Sequence, residues 1–133
     1  MDANVLIAAL MRDSTTRRLL ILGGHELHVP EYVFEEIAEH WDELWPRSRL
    51  SSDALKEVLR ILRGHVDEHR VADYNDDLGA AIEMLGERDP GDAPYVALAL
   101  SLRADGIWTE DRELGTVEGV STFHTADLVE PNP

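Results

Sequence analysis

Apolar positions recur along this chain with two periods, and each change of period marks an element. Asn4 to Met11 (NVLIAALM) is an apolar run of good helix formers and predicts a short helix, with a strand as the alternative. Ser14 or Thr15 can cap a second helix through Arg17 to Leu22, ended by Gly23–Gly24. Glu26 to Val29 (ELHV) alternates polar and apolar, a strand pattern stopped by Pro30. From Glu31 to Trp45 the residues Val33, Ile37, Trp41 and Leu44 share one side of a helix that Pro46 closes.

Ser51–Ser52 caps a long helix from Asp53 to Gly64, with Leu55, Val58, Leu59 and Leu62 on its inner face. His69 to Ala72 reads as a short strand and Asn75 to Leu85 as an amphipathic helix. The break Gly86-Glu87-Arg88-Asp89-Pro90-Gly91 follows, and Asp92 then opens the most apolar helix, APYVALALSL. Gly106 to Thr109 and Val120 to Phe123 predict two more strands, before a helical turn at Ala126–Val129 and a polar, Pro-containing end. Short strands between helices predict an α/β fold of three layers, α/β/α, with a mostly parallel central sheet. No repeat, low-complexity tract or linker divides the chain, so one domain over 1–133 is expected.

Composition narrows the class. With 44% hydrophobic residues a packed core is expected, and with no cysteine there is neither a disulfide framework nor a thiolate zinc site. No apolar run reaches the ~20 residues that cross a bilayer, and no basic stretch leads into a signal-type core, so a cytoplasmic protein without membrane contact is the expectation. Twelve Lys and Arg against 27 Asp and Glu give a net charge of −15. Such a balance opposes binding to nucleic acid, because affinity for phosphate comes mainly from cations. Two readings meet the objection. A salt-rich, halophilic cytoplasm keeps acidic proteins soluble and at ~1 M salt shrinks the Debye length to about 3 Å, which accounts for most of the charge. A few carboxylates can instead form a metal site, where the cation meets the phosphate.

Four acidic residues stand where a site would form. Asp2 lies at the mouth of the first helix, Glu36 among Val33, Phe34 and Ile37, Asp92 at the start of the apolar helix, and Asp111 after the strand GIWT. Open α/β sheets build sites beyond the carboxyl ends of their strands, and Asp2, Asp92 and Asp111 fall at such ends. Gathered carboxylates repel, by about 4 kcal/mol for two at ~4 Å and an effective dielectric of ~20. A fold accepts that cost mainly when a cation neutralises it, and oxygen ligands suit Mg²⁺ or Mn²⁺.

The chain resembles the PIN-domain family in DANVLIAAL from Asp2, PEYVFEEI from Pro30, DPGDAPYVALAL from Asp89, GIWTEDREL from Gly106, and the closing VSTFHTADLV. The resemblance, nearest to the VapC-like toxin branch, implies a metal-dependent endoribonuclease whose catalytic and metal-binding residues are Asp2, Glu36, Asp92 and Asp111. It adds Asp89 as a further acidic residue, Asn4 as the group orienting Asp2, and Thr109 as one that helps hold water at the metal. One or two Mg²⁺ or Mn²⁺ ions would serve cleavage of RNA to 5′-phosphate and 3′-hydroxyl products. An antitoxin partner and a homodimer are implied by the same branch. A PIN nuclease of RNA processing and a catalytically silent PIN-fold interaction module are the alternatives. The family's first aspartate closes a central strand; here only Met1 precedes Asp2, so that strand is expected to be missing or truncated. A start displaced downstream of the true one is the favoured explanation.

Plainer roles compete at each position. Asp92 is placed as a helix N-cap, Asp111 and Asp89 as turn residues, Asp2 as a solvated terminus, and Glu35 or Glu39 as the inward glutamate instead of Glu36. His65 and His69, four apart, could share a helix face, but no HExxH pattern or third ligand accompanies them. Trp41, Trp45 and Trp108 are expected in the core or an interface rather than as base-stacking platforms. Arg12, Arg17 and Arg18 are expected to pair with the acidic surface, with RNA phosphate as the second choice.

Overall fold

A computed structural model describes residues 1–11 and 14–129, with nothing said of the Ser14 side chain. Arg12 lies outside the described residues. Helix α1 (Ala3–Met11) buries Val5, Leu6, Ala9 and Leu10, and α2 (Ser14–Leu22) follows it. Between them the Arg17 guanidinium donates to the carbonyls of Ala9 (2.8 Å) and Leu10 (3.1 Å). Those carbonyls belong to the last turn of α1, so Arg17 serves as a C-terminal cap of that helix. Gly24 ends the α2 turn at φ 71°, which a residue with a Cβ adopts only at a cost.

Strand β1 (His28–Pro30) pairs in parallel with β2 (Asp67–His69), His28 opposite Asp67 and Pro30 opposite His69. Pro30 stays in the strand because the next donor, the Glu31 N–H, takes up the His69 carbonyl at 2.7 Å. The helix expected over 31–45 is two helices, α3 (Tyr32–Glu39) and α4 (Trp41–Leu44), with His40 between them at φ −99°, ψ 14°, and a 3₁₀ turn after them. The apolar spacing runs unbroken through His40, so periodicity carries no sign of the break. Helix α5 (Ser52–Arg63) is capped by Ser51, whose hydroxyl accepts the Ala54 N–H at 3.1 Å.

The second strand begins two residues before the expected position. Val71 instead opens a short helix, α6 (Val71–Tyr74), where the Asp73 carboxylate accepts the Arg70 N–H at 3.1 Å. Local capping here overrides the alternating pattern. A 3₁₀ turn (Asn75–Asp77) leads into α7 (Leu78–Leu85), and α8 (Ala93–Leu102) carries the apolar run. Strand β3 (Ile107–Trp108) pairs in parallel with β4 (Thr122–Phe123), and α9 (Thr125–Leu128) follows.

The two strand pairs are joined by the first two residues. The Met1 amino group donates to the His28 carbonyl at 3.3 Å, and the Asp2 N–H to the Trp108 carbonyl at 3.0 Å. Met1–Asp2 therefore links β1 to β3 through main-chain hydrogen bonds. Beside Met1 the space between those strands opens into a cleft of about 550 Å³, bordered by His28, Tyr95, Ile107, Trp108 and Phe123.

Successive strand residues face opposite sides, and the core divides accordingly. Val29 and Trp108 pack with Leu6, Leu10, Ile37, Leu55 and Leu62 from α1, α3 and α5, while Ile107 packs with Ala81, Leu85, Val96 and Ala97 from α7 and α8. That is the three-layer α/β/α arrangement. Each fully buried Leu or Ile contributes about 1.5–3 kcal/mol against exposure. Trp41 and Trp45 lean on the first cluster, and Trp108, buried, donates its indole N–H to Thr125 at 3.0 Å, so the described tryptophans serve packing. No described helix is long and apolar enough to cross a membrane.

Candidate metal centre

Asp2 stands immediately before α1, where its N–H meets the end of β3. One carboxylate oxygen accepts the Val5 N–H at 3.0 Å, capping the first turn, and the other accepts the hydroxyl of Thr109. With only 9% of its surface exposed, Asp2 is held rather than solvated. Thr109 follows β3 and is fully buried; its oxygen also accepts the Asp111 N–H at 3.0 Å. One hydroxyl thus positions two aspartates. Asp111 turns the chain by accepting the Glu113 N–H at 2.9 Å through one oxygen.

Asp92 precedes α8 but its side chain makes no capping hydrogen bond, and its backbone is already helical at φ −81°, ψ −14°. The turn is made by Asp89, which accepts the Gly91 N–H at 2.8 Å. Burial raises the Asp92 pKa above the ordinary carboxylate value, and the charges of Asp89, Asp111 and Asp2 raise it further. Three aspartates from three separate segments therefore act on Asp92. Among the described residues no cation pairs with any of them, in contrast to Glu57 and Glu68, which Arg60 and Arg63 engage.

Glu36 approaches from α3. It and Gly91 border one shallow depression of about 280 Å³ with Tyr32 and Pro94. Burial pushes Tyr32 up to about 12, with the Glu36 and Asp92 charges adding to the rise. Burial likewise raises Tyr95 strongly, and the charges of Glu36 and Asp2 act in the same direction. These two rings lie 5.7 Å apart. Glu35 acts instead on Tyr74; Glu35, Glu36 and Glu39 are all exposed. The Tyr95 hydroxyl is buried beside that of Tyr32, which itself donates to the Gly91 carbonyl at 3.2 Å.

The other predicted residues are less engaged. Asn4 is exposed on the first turn of α1, and the hydrogen bonds described for Asp2 come from Val5 and Thr109. Arg18 is exposed. His65 and His69 do not share a helix, because α5 ends at Arg63 and His69 belongs to β2. His69 meets His28 instead, Nε2 to Nδ1 at 2.9 Å. Sequence spacing could not show that pair, which depends on strand register. Tyr95 was also missed, although three residues after Asp92 on a helix is a contact spacing.

Asp2, Asp89, Asp92 and Asp111 offer oxygen donors only, the type that suits a hard divalent ion, whereas the donor atoms that lie within 4.8 Å of one another among the described residues are those of Glu26, His28 and Asp67. The chain belongs to the PIN-domain family, whose sequence profile matches residues 1–130. PIN domains have a nuclease-type fold and generally bind divalent metals. No curated protein matches the chain.

Proposed function

We propose that the chain is a Mg²⁺- or Mn²⁺-dependent endoribonuclease, the toxin of a type II toxin–antitoxin pair, with Asp2, Glu36, Asp92 and Asp111 as catalytic carboxylates. The observation that supports this best is Asp92, released from capping and surrounded by Asp2, Asp89 and Asp111. Asp2 is the rigid ligand, fixed on both oxygens by Val5 and Thr109. Asp92 and Asp111 close the site from α8 and from the loop after β3, and Glu36 bounds it from α3. Asp89 holds the loop before α8 in shape and adds negative charge.

A divalent ion bound there supplies charge neutralisation at the phosphodiester and activation of water. Thr109 supplies the hydroxyl that orients Asp2 and Asp111 around it. RNA reaches so acidic a surface through the cation rather than through basic side chains, and high cytoplasmic salt screens the remainder. An antitoxin and a second copy of the chain are the proposed protein partners, and the exposed Leu22, Ile61, Val71 and Ile82 offer apolar surface for them.

Calorimetric titration of Mn²⁺ in molar KCl, beside Asp92→Asn, tests the site without knowledge of the RNA. Saturable binding lost in the variant is expected. Identical weak heats from both proteins would reject the metal site and leave an interaction module as the reading. Expression of the chain alone then separates toxin from RNA-processing enzyme: growth arrest is expected, and unaffected growth would favour processing.

A further inference from the structure

A second constellation lies on the outer strand pair. In parallel strands, partners in register and residues two apart point to the same side. His28 is opposite Asp67, His69 is two residues beyond Asp67, and Glu26 is two before His28. Val29, the intervening residue, is fully buried on the other side, and Glu68 pairs there with Arg63. The same register therefore gathers two imidazoles and two carboxylates on one surface.

Glu26, His28 and Asp67 each offer a donor atom, and these atoms all lie within 4.8 Å of one another. A chain of contacts orients the imidazole at their centre. Asp73 stands 3.5 Å from His69 Nδ1, His69 Nε2 stands 2.9 Å from His28 Nδ1, and His28 Nε2 stands 3.2 Å from Glu26 Oε1. In the tautomer that places the His69 proton on Nδ1, toward Asp73, His69 Nε2 accepts from His28 Nδ1. His28 Nε2 then presents its lone pair beside Glu26 Oε1, with Asp67 Oδ2 3.7 Å from Nδ1 of the same ring. That is the state of the imidazole that can share a cation with the two carboxylates.

We propose that Glu26, His28 and Asp67 bind a late first-row divalent ion of the Zn²⁺ or Co²⁺ class, with His28 Nε2 as the nitrogen ligand. His69 and Asp73 are positioning residues: they fix the tautomer of His28, as carboxylate–imidazole pairs do behind metal-bound histidines. The imidazole donor separates this site from the all-oxygen aspartate centre, which suits Mg²⁺ or Mn²⁺. None of Glu26, Asp67 and Asp73 is among the charges that act on Asp92. The ion would tie the edge strand β2, held to β1 over three residue pairs, to the segment that precedes β1. Its effect is thus stabilisation of the edge.

Co²⁺ is the probe, because its visible absorption reports coordination by an imidazole and carboxylates directly. Titrated into the full chain in molar KCl, Co²⁺ is expected to give one saturable set of bands per chain. Zn²⁺ should displace them and raise the melting temperature. The bands should persist in Asp92→Asn, which separates this site from the proposed nuclease centre, and vanish in His28→Asn. His69→Ala should weaken binding roughly ten- to a hundredfold, while His25→Ala and His65→Ala leave it unchanged. If His28→Asn proves unfolded by circular dichroism, Glu26→Ala, an exposed position, replaces it. Bands that survive in the folded His28 or Glu26 variant, bands lost with His25, or no bands in the wild type would each overturn the proposal.

Discussion

Thr109 donates its hydroxyl to Asp2 across 107 positions of sequence, and both side chains are buried. The same oxygen receives the Asp111 N–H, so a single group at the end of β3 sets the spacing between the first and last aspartates of the acidic cluster. Thr109→Val keeps the volume and removes both interactions. It is expected to cost about 1–3 kcal/mol in stability, because Asp2 is left with an unsatisfied buried oxygen. Mn²⁺ affinity should fall with it. Urea denaturation and calorimetry on the same preparation measure both, and unchanged Mn²⁺ binding would remove Thr109 from the site.

Asp92→Asn should stabilise the metal-free protein while abolishing Mn²⁺ binding. Its folded pKa lies above the unfolded value, so the folded state prefers the proton and this residue lowers stability once pH exceeds the folded pKa. Stability should therefore rise as pH falls through that range, and the rise should be smaller in Asp92→Asn. At neutral pH the gain from the substitution is about 1 kcal/mol, one like-charge contact in a high dielectric. Nothing offsets it, because the Asp92 side chain makes no capping bond.

The amino terminus provides a pH dependence of opposite sense. Burial lowers the Met1 amino pKa from 8.0 to about 6, although the neighbouring Asp2 carboxylate pulls upward. Between those values the unfolded chain binds the proton and the folded chain does not, so stability rises from pH 6 to pH 8. A difference of about two pKa units corresponds to roughly 3 kcal/mol. Chemical denaturation across that interval measures it. Adding one residue before Met1 replaces the amine with an amide and should flatten the profile.

Salt should stabilise this chain. A net charge of −15 repels itself in the compact state, and raising KCl from ~0.01 M to ~1 M shortens the screening length from about 30 Å to about 3 Å. The melting temperature is expected to climb over that range at pH 7 and to be nearly salt-independent near the sequence pI of about 4.6. A flat response at pH 7 would mean that the acidic surface carries no stability cost.

Apolar runs located α1 and α8, and capping and apolar spacing located α2 and α5, each to within a residue or two, because a helix closes its hydrogen bonds locally. The break at His40 and the shift of β2 were not visible, since neither alters the apolar spacing that the sequence displays. Aspartates at element ends were legible as a pattern, and the family profile over residues 1–130 accords with the family those residues suggested.

What the sequence determined by itself was therefore the class of fold, the order of its layers and the acidic candidates. Only the tertiary structure decided how those candidates are used. It freed Asp92 from capping, gave the turn to Asp89, fixed Asp2 through Thr109, and joined His28 to His69 rather than His65 to His69. The reason is physical. Periodicity and capping arise from neighbours along the chain, whereas the partner of a carboxylate or imidazole is chosen by strand register and by which helices close over the sheet.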